Sequence, residues 1–347
     1  MQDIKKIIII QTAFIGDVIL TTPMVRVLYE RFHQPEIHFL TIPSSKNILE
    51  TNPFIKKLII YDKKKKDKGI ASFFNLIKSL KEESYDLAFI PHRSIRSALL
   101  AKWAGIKTRV GFNKGGGRFF HTHRMRYDQG NHEYERNLHL LNFLEIIPEE
   151  VVYPDIFPTD MDKQVVTEWL FSQEILETDR LVTLAPGSVW ATKRWLPERF
   201  AELADKLIQF GYHVILIGGP DDLFLCESIA QQSEEQVPVA AGLFTLRQSA
   251  ELISRSEILI TNDSAPLHLG VAMRTPVIAI FGATVPQFGF YPYGNNDLIL
   301  ETKGLYCRPC GIHGKKTCPE GHFRCMREIS VQNVFQATVT LLKSKRF

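Results

Sequence analysis

LITNDSAPLH, residues 259–268, decides the architecture of this chain. The run from Glu257 to Thr261 predicts a buried parallel strand. It stops at the polar turn Asn262-Asp263-Ser264, and the spacing of Leu267, Val271 and Ala272 predicts a helix. A strand that ends in a short polar turn and feeds a helix leaves first-turn N–H groups unpaired and facing a crevice. That arrangement binds phosphate. A similar unit, IIIIQTAFIGDVILTTP, occupies residues 7–23, so each half of the chain carries one.

Outward from these two units, apolar runs alternate with amphipathic helical stretches, which predicts an α/β fold with parallel sheets. Strands are expected at 6–10, 37–42, 57–61, 86–91 and 109–111 in the first half. In the second they are expected at 181–185, 213–217, 237–240, 258–261, 277–281 and 298–301. Pro148, Pro154 and Pro158 interrupt both periodicities and mark a boundary. Two Rossmann-like halves facing a central cleft follow, with domains expected at 1–155 and 156–327 and a closing segment at 328–347. The helical spacing of Val331, Val334, Phe335, Thr338, Leu341 and Leu342 allows that segment to pack on either half.

The chain has 347 residues, which exceeds the usual size of a single core, so two domains are the default. Its composition, 45% hydrophobic and 23% charged, is ordinary for a globular protein. A net charge of +4 is too small to argue for nucleic acid. The basic residues lack the interleaved aromatics of an RNA motif, so no nucleic-acid partner is expected. Lys63–Lys66 and the stretch from Lys114 to Arg126 load the first half with positive charge. Each run alone reads as a solvated face, but two in one domain favour an anionic partner such as a membrane surface or a phosphorylated glycolipid. The N-terminal apolar run is too short for a signal peptide or a span. The expectation is a cytoplasmic protein, peripheral on the inner face of a membrane.

Several positions carry candidate chemistry. Gly16 turns the chain into the first helix, and Asp17 stands at its start. Local sequence favours a helix-capping role for Asp17. The functional alternative is a general base at the carboxyl end of the first strand. The loop Ala185–Trp195 gathers Ser188, Thr192, Lys193 and Arg194, a set suited to a diphosphate whose charge builds as a nucleotide leaves. Asp221 or Asp222, after Gly218-Gly219, suits ribose hydroxyls or a cap. Gly242 to Thr245 suits an adenine ring, with Leu243, Phe244 and Thr245 alongside it. Asp263 suits sugar hydroxyls, Ser264 and Ala265 offer N–H groups to phosphate, and His268 lies one helical turn on. Cys307, Cys310, Cys318 and Cys325 crowd one glycine- and proline-rich segment. In a cytoplasmic chain that pattern argues for a structural zinc or iron, with reduced, metal-free thiols as the alternative.

Taken in order, seven stretches resemble the family 9 glycosyltransferases, the ADP-heptose:lipopolysaccharide heptosyltransferases, and most of all the heptosyltransferase II branch. They are Ile15–Pro23, His92–Phe112, His132–Leu141, Ala185–Ala204, Leu216–Asp222, Thr261–Met273 and Pro276–Thr284. The resemblance implies a GT-B fold, with the donor nucleotide on the second domain and the acceptor on the first. It also implies a C-terminal helix that packs back on the N-terminal domain. The implied reaction is inverting transfer of L-glycero-D-manno-heptose from ADP-heptose to an inner-core sugar of lipid A–core. Asp17 then matches the base, and Lys193 matches the lysine that neutralises departing ADP, with no cofactor required. Ser188, Asp263, Ser264, Ala265 and His268 match the family's phosphate- and heptose-binding positions, and Asp221 lies where a ribose-binding acid is expected, with Asp222 a rival. Gly16, Thr192, Leu243, Phe244 and Thr245 join them as donor-binding candidates from the residue reading above. Arg93, Arg96, Lys114 and Arg118 are expected to face the acidic acceptor from their charge and placement. The alternative is a related nucleotide-sugar transferase or epimerase acting on another sugar or acceptor.

Overall fold

A computed structural model describes residues 4–32, 34–294 and 296–344. The chain divides into two units, Met1–Phe157 and Pro158–Phe347. The break falls two residues past the expected one, at the end of the proline-interrupted stretch.

The first unit is built on β1 (Lys6–Ile10), β2 (Glu36–Thr41), β3 (Lys57–Ile60), β4 (Leu87–Ile90), β5 (Thr108–Phe112) and β6 (His123–Met125). All six run parallel in the order β3-β2-β1-β4-β5-β6. Ile7, Ile8, Ile9 and Ile10 are all buried, as a strand covered by helices on both faces requires. β6 escaped the sequence reading because His123-Arg124-Met125 is a short polar edge strand with no apolar run. The first helix is broken in two. Ile15–Ile19 ends at Leu20, and Thr22–Arg31 restarts with Pro23 in its first turn.

The second unit is built on β7 (Leu181–Ala185), β8 (His213–Leu216), β9 (Ile258–Asn262), β10 (Val277–Phe281) and β11 (Leu298–Glu301). They are parallel in the order β11-β10-β9-β7-β8. The strand expected at 237–240 is reduced to one parallel bridge, Leu216 to Val239. Pro238 has no N–H to give, and only the N–H of Leu216 to the carbonyl of Pro238 and the N–H of Ala240 to the carbonyl of Leu216 tie it to β8. Counting that remnant as a third strand, both units share one Rossmann order.

The closing helix Val331–Ser344 belongs to the second unit. Val331, Val334 and Leu342 enter that unit's core beside Leu203, Leu207 and Tyr212, and the helix packs on helix Pro197–Gln209 and β10. The resemblance implied that it packs on the first unit; what the structure shows is that Val331, Val334 and Leu342 of its apolar stripe are buried in the second. Residues 345–347 of the closing segment lie outside the described residues. Among the described residues, no helix is long and apolar enough to cross a membrane.

Helix Ala265–Ala272 lies close on its sheet at Gly270. A Cβ there would stand 2.7 Å from Val277 Cγ2 and 2.8 Å from Leu259 Cδ2. Replacing an interior helical glycine normally gains about 1 kcal/mol, but overpacking a core of this density costs about 1–3 kcal/mol. With its branched side chain, Gly270→Val is expected to lower unfolding stability by about 2 kcal/mol, read by urea denaturation. An unchanged midpoint would show that the helix has room to lift.

Candidate active site

In both units the strand order reverses beside the first strand, between β1 and β4 and again between β7 and β9. Crossovers leave such a point toward opposite faces, so the loops at the carboxyl ends part and leave a crevice. The candidate residues collect at these two points.

In the first unit, the loop after β1 meets the loop after β4. Thr12 Oγ1 lies 2.9 Å from His92 Nδ1, and Ser97 Oγ lies 3.3 Å from Thr12 Oγ1 and 3.2 Å from His92 Nδ1. Lys63 Nζ donates to the Thr12 carbonyl at 3.0 Å. Burial, then Lys63 and Arg93, pull His92 down to a pKa of about 4, so its imidazole is neutral. Sequence reasoning missed this cluster, although His92 directly follows a strand-ending Pro91.

Asp17 is the third residue of helix Ile15–Ile19, beside Gly16. Its Oδ2 accepts the Phe14 N–H at 3.2 Å, so the capping role is real. The carboxyl is half-buried. Burial raises its pKa to about 7, and the Glu133 carboxylate adds to the rise against the backbone bonds and Arg93. Glu133 is itself paired with Arg136 at 2.7 Å. Arg136 also donates to the Tyr127 hydroxyl at 3.0 Å. The Arg93 guanidinium sits 4.2 Å from the centre of the Tyr127 ring, with Lys114 Nζ at 5.8 Å. The structure therefore gathers Arg93 and Lys114 on one ring. It does not gather Arg96 or Arg118 with them. Arg96 donates to the Tyr61 hydroxyl at 3.2 Å, and Arg118 lies 4.3 Å over Phe119.

In the second unit, Asn262 closes β9 and clamps the neighbouring loop. Its Nδ2 donates to the Pro186 carbonyl at 2.7 Å, and its Oδ1 accepts the Trp195 N–H at 3.0 Å. Lys193 is thereby carried toward Asp263, and the two pair at 2.6 Å with both side chains largely buried. Thr284 Oγ1 donates to the same Asp263 oxygen at 2.6 Å. Ser264 caps helix Ala265–Ala272 by position, yet its hydroxyl makes no cap bond. Ser264 Oγ and His268 Nδ1 are both buried without a hydrogen-bond partner among the described residues. Burial, then Lys193, hold His268 at a pKa of about 3. The cluster thus presents a lysine, a helix N-terminus and two unsatisfied buried polar atoms, a combination that accepts an anion.

The other expected donor contacts divide. Ser188 sits on the clamped loop, its Oγ accepting the Trp190 N–H at 3.4 Å and its carbonyl accepting Arg194 Nε at 2.7 Å. Thr192 instead turns its hydroxyl to the backbone of Lys315, donating to O at 3.0 Å and accepting from N at 2.7 Å. That pairing satisfies a loop with few partners of its own. Asp222 is a cap: its Oδ2 accepts the Gly219 N–H at 3.1 Å. Its carboxyl occupies the space a Cβ would need at Gly187, 2.3 Å away, so a larger residue there would displace the Asp222 side chain. Asp221 stays exposed. Leu243 is exposed, Phe244 packs edge-on to Trp169 at 5.3 Å, and Thr245 caps the next helix through the Gln248 N–H at 3.3 Å.

The cysteines do not form the expected four-thiol centre. Among the described residues, no three of them bring sulfur atoms to metal-ligand spacing. Cys310 Sγ donates to the Cys307 carbonyl at 3.4 Å, and Cys307 Sγ lies 3.8 Å from His322 Nε2. Cys325 is buried in the second core, where burial pushes its thiol up to about 11. The thiols of Cys310, Cys318 and Cys307 add to that rise, so the four cysteines remain neighbours without forming a ligand set.

Comparison with known proteins follows this geometry. The family model for glycosyltransferase family 9 (heptosyltransferase) matches residues 73–323. An Escherichia coli lipopolysaccharide heptosyltransferase 3 is 30% identical over 82% of this chain and 85% of its own length. The crystal structure of a family 9 glycosyltransferase from Veillonella parvula superposes with a TM-score of 0.86 at 30% identity, covering 98% of this chain and 97% of the other. The E. coli ADP-heptose lipopolysaccharide heptosyltransferase II shares the fold at a TM-score of 0.81 and 23% identity, covering 99% of this chain and all of the other. A match that spans most of the sequence and includes both switch-point loops of the second unit makes this chain a member of glycosyltransferase family 9, the heptosyltransferases.

Proposed function

We propose that this glycosyltransferase moves a heptose from ADP-heptose to an inner-core sugar of lipopolysaccharide. The observation that carries the reading is the second-unit cluster of Lys193, Ser264 and His268, where buried polar atoms lack partners beside a cation and a helix N-terminus. ADP-heptose would place its diphosphate there. Relatives named as lipopolysaccharide heptosyltransferases support the sugar and the acceptor. The lipid-carried acceptor would be met at the inner face of a membrane.

In the proposed step an acceptor hydroxyl attacks the anomeric carbon opposite the diphosphate. The new C–O bond forms as the bond to the diphosphate breaks, with inversion. The proton passes to the Asp17 carboxylate, and the electron pair leaves with ADP. Lys193 and the N–H groups at Ser264 and Ala265 stabilise the charge that develops, so the step uses no cofactor. Arg93 and Lys114 would hold the acidic acceptor, and Asp221 remains free for the ribose.

Asp17 can take a proton only when ionised. The rate constant kcat/KM is expected to rise about tenfold per pH unit on the acid side and to level off near pH 7. A flat profile from pH 6 to 8 would remove Asp17 as base. Asp17→Asn should abolish turnover while leaving ADP affinity nearly unchanged by calorimetry. The raised folded pKa also fixes the sign of a stability effect. The folded state holds this proton where the unfolded chain, with its ordinary value of 3.8, has lost it. The ionised carboxylate therefore destabilises the fold progressively as pH rises from about 4 to 7. Asp17→Asn, which keeps the cap acceptor, should gain about 1–3 kcal/mol at pH 8 and nothing at pH 4.

Asp263→Ala strands the Lys193 ammonium and is expected to cost about 3 kcal/mol of stability. The double variant with Lys193→Ala should recover part of that loss. Lys193→Ala alone should weaken ADP binding about tenfold or more. Additive denaturation energies would mean the pair contributes nothing as a pair.

A further inference from the structure

Helix Ile70–Glu82 buries Phe73, Ile77 and Leu80, three residues at helical spacing. Its opposite side is not polar throughout. Ile70 is 77% exposed and Phe74 52% exposed. The neighbouring helix Ile95–Trp103 ends in Trp103, 46% exposed. The Phe74 and Trp103 rings stack face to face at 5.8 Å and 11°, and buried Phe73 braces both edge-on. A stacked aromatic pair presented to solvent, with an isoleucine one turn away, marks an interaction surface.

The surroundings of this patch state what it meets. The loop leading into helix Ile70–Glu82 carries Lys63, Lys64, Lys65, Lys66 and Lys68 against Asp62 and Asp67. The loop is shaped by its own backbone. Asp62 Oδ1 accepts the N–H of Lys65 at 3.0 Å, and Asp67 Oδ2 accepts the N–H of Asp62 at 2.7 Å. Both carboxylates are thus turned to backbone while Lys64, Lys65, Lys66 and Lys68 are exposed. Lys78 stands one turn beyond Phe74, and Lys102 adjoins Trp103; both are exposed, with Glu82 the exposed acid at the far end of the helix. A second copy of this chain would bring these lysines against one another. An anionic lipid surface instead pairs with them, and Trp and Phe suit the headgroup boundary.

We propose that this face docks on an anionic bilayer, with Ile70, Phe74 and Trp103 in the interfacial layer and the lysine loop on the headgroups. The inference deepens the proposed function by naming the surface through which the protein meets the membrane that carries its acceptor. Helix Ile95–Trp103 runs from beside Arg93, at the carboxyl end of β4, to the patch. Its nine residues set the two about 14 Å apart along the axis.

The test is flotation of the full-length protein with vesicles of phosphatidylcholine alone or of phosphatidylcholine with phosphatidylglycerol. A parallel assay follows transfer from ADP-heptose to a lipid-free core oligosaccharide. Binding is expected only to the anionic vesicles and to weaken with salt. The F74S/W103S variant should lose it. The K64E/K65E/K66E variant, which leaves every apolar contact in place, should bind at least about tenfold more weakly. Both variants should keep wild-type transfer to the lipid-free acceptor. Absence of binding to anionic vesicles, equal binding to neutral ones, or binding that survives both variants would overturn the inference. A dimer by light scattering that F74S/W103S dissociates, without lipid binding, would overturn it in favour of a second copy. If binding behaves as expected but no transfer occurs to any acceptor, the docking surface stands and the proposed function fails.

Discussion

Everything at the two sites depends on the point where each parallel sheet reverses its order. Ladder pairing fixes β1 against β4 and β7 against β9 in register, so their carboxyl ends lie side by side. The chain then leaves each pair toward opposite faces, which opens a gap between the loops. Side chains must satisfy the loops there. Asn262 does so by bonding Pro186 and Trp195 at once, and Lys63 does so by donating to the Thr12 carbonyl. The polar residues of the sites are thus first a solution to unpaired backbone and only then a chemical apparatus.

Burial sets opposite protonation states on carboxyl and imidazole groups. It raises Asp17 toward neutrality while lowering His92 and His268 far below it. At neutral pH both imidazoles are uncharged, and the positive charge in the second-unit cluster rests on Lys193. Asp263 holds that lysine in a largely buried pair, at a desolvation cost that its own bond from Thr284 helps to offset. A diphosphate arriving beside Ser264 and His268 would find a cation already oriented, with partners lacking on the protein side. Family membership and this electrostatic arrangement point to the same chemistry from independent directions.

The comparison between sequence and structure is instructive residue by residue. Strands β1 and β10 were legible to the residue because four or five consecutive apolar positions mark a doubly covered strand, while β7 and β11 were read from shorter apolar runs. The edge strand β6 and the collapse of 237–240 to one bridge were not, since a polar edge and a proline act through the neighbouring strand rather than through periodicity. Lys193, Asp263, Ser264 and His268 were found from their loops, but their pairing was invisible. Thr192 and Cys325 were assigned ligand roles because their chemistry permits them. The fold gives one to the Lys315 backbone and the other to the core.

The amino-acid sequence by itself determined the class of the fold, the two strand-to-turn-to-helix units and the residue types able to handle a diphosphate and a proton. Those are local matters, set by periodicity over a few residues and by side-chain chemistry. Tertiary structure alone decided which of those groups remain free, which carry charge and which unit the last helix covers. Hydrogen-bond partners, desolvation and apolar contact come from residues far away in the chain, and no window of sequence contains them.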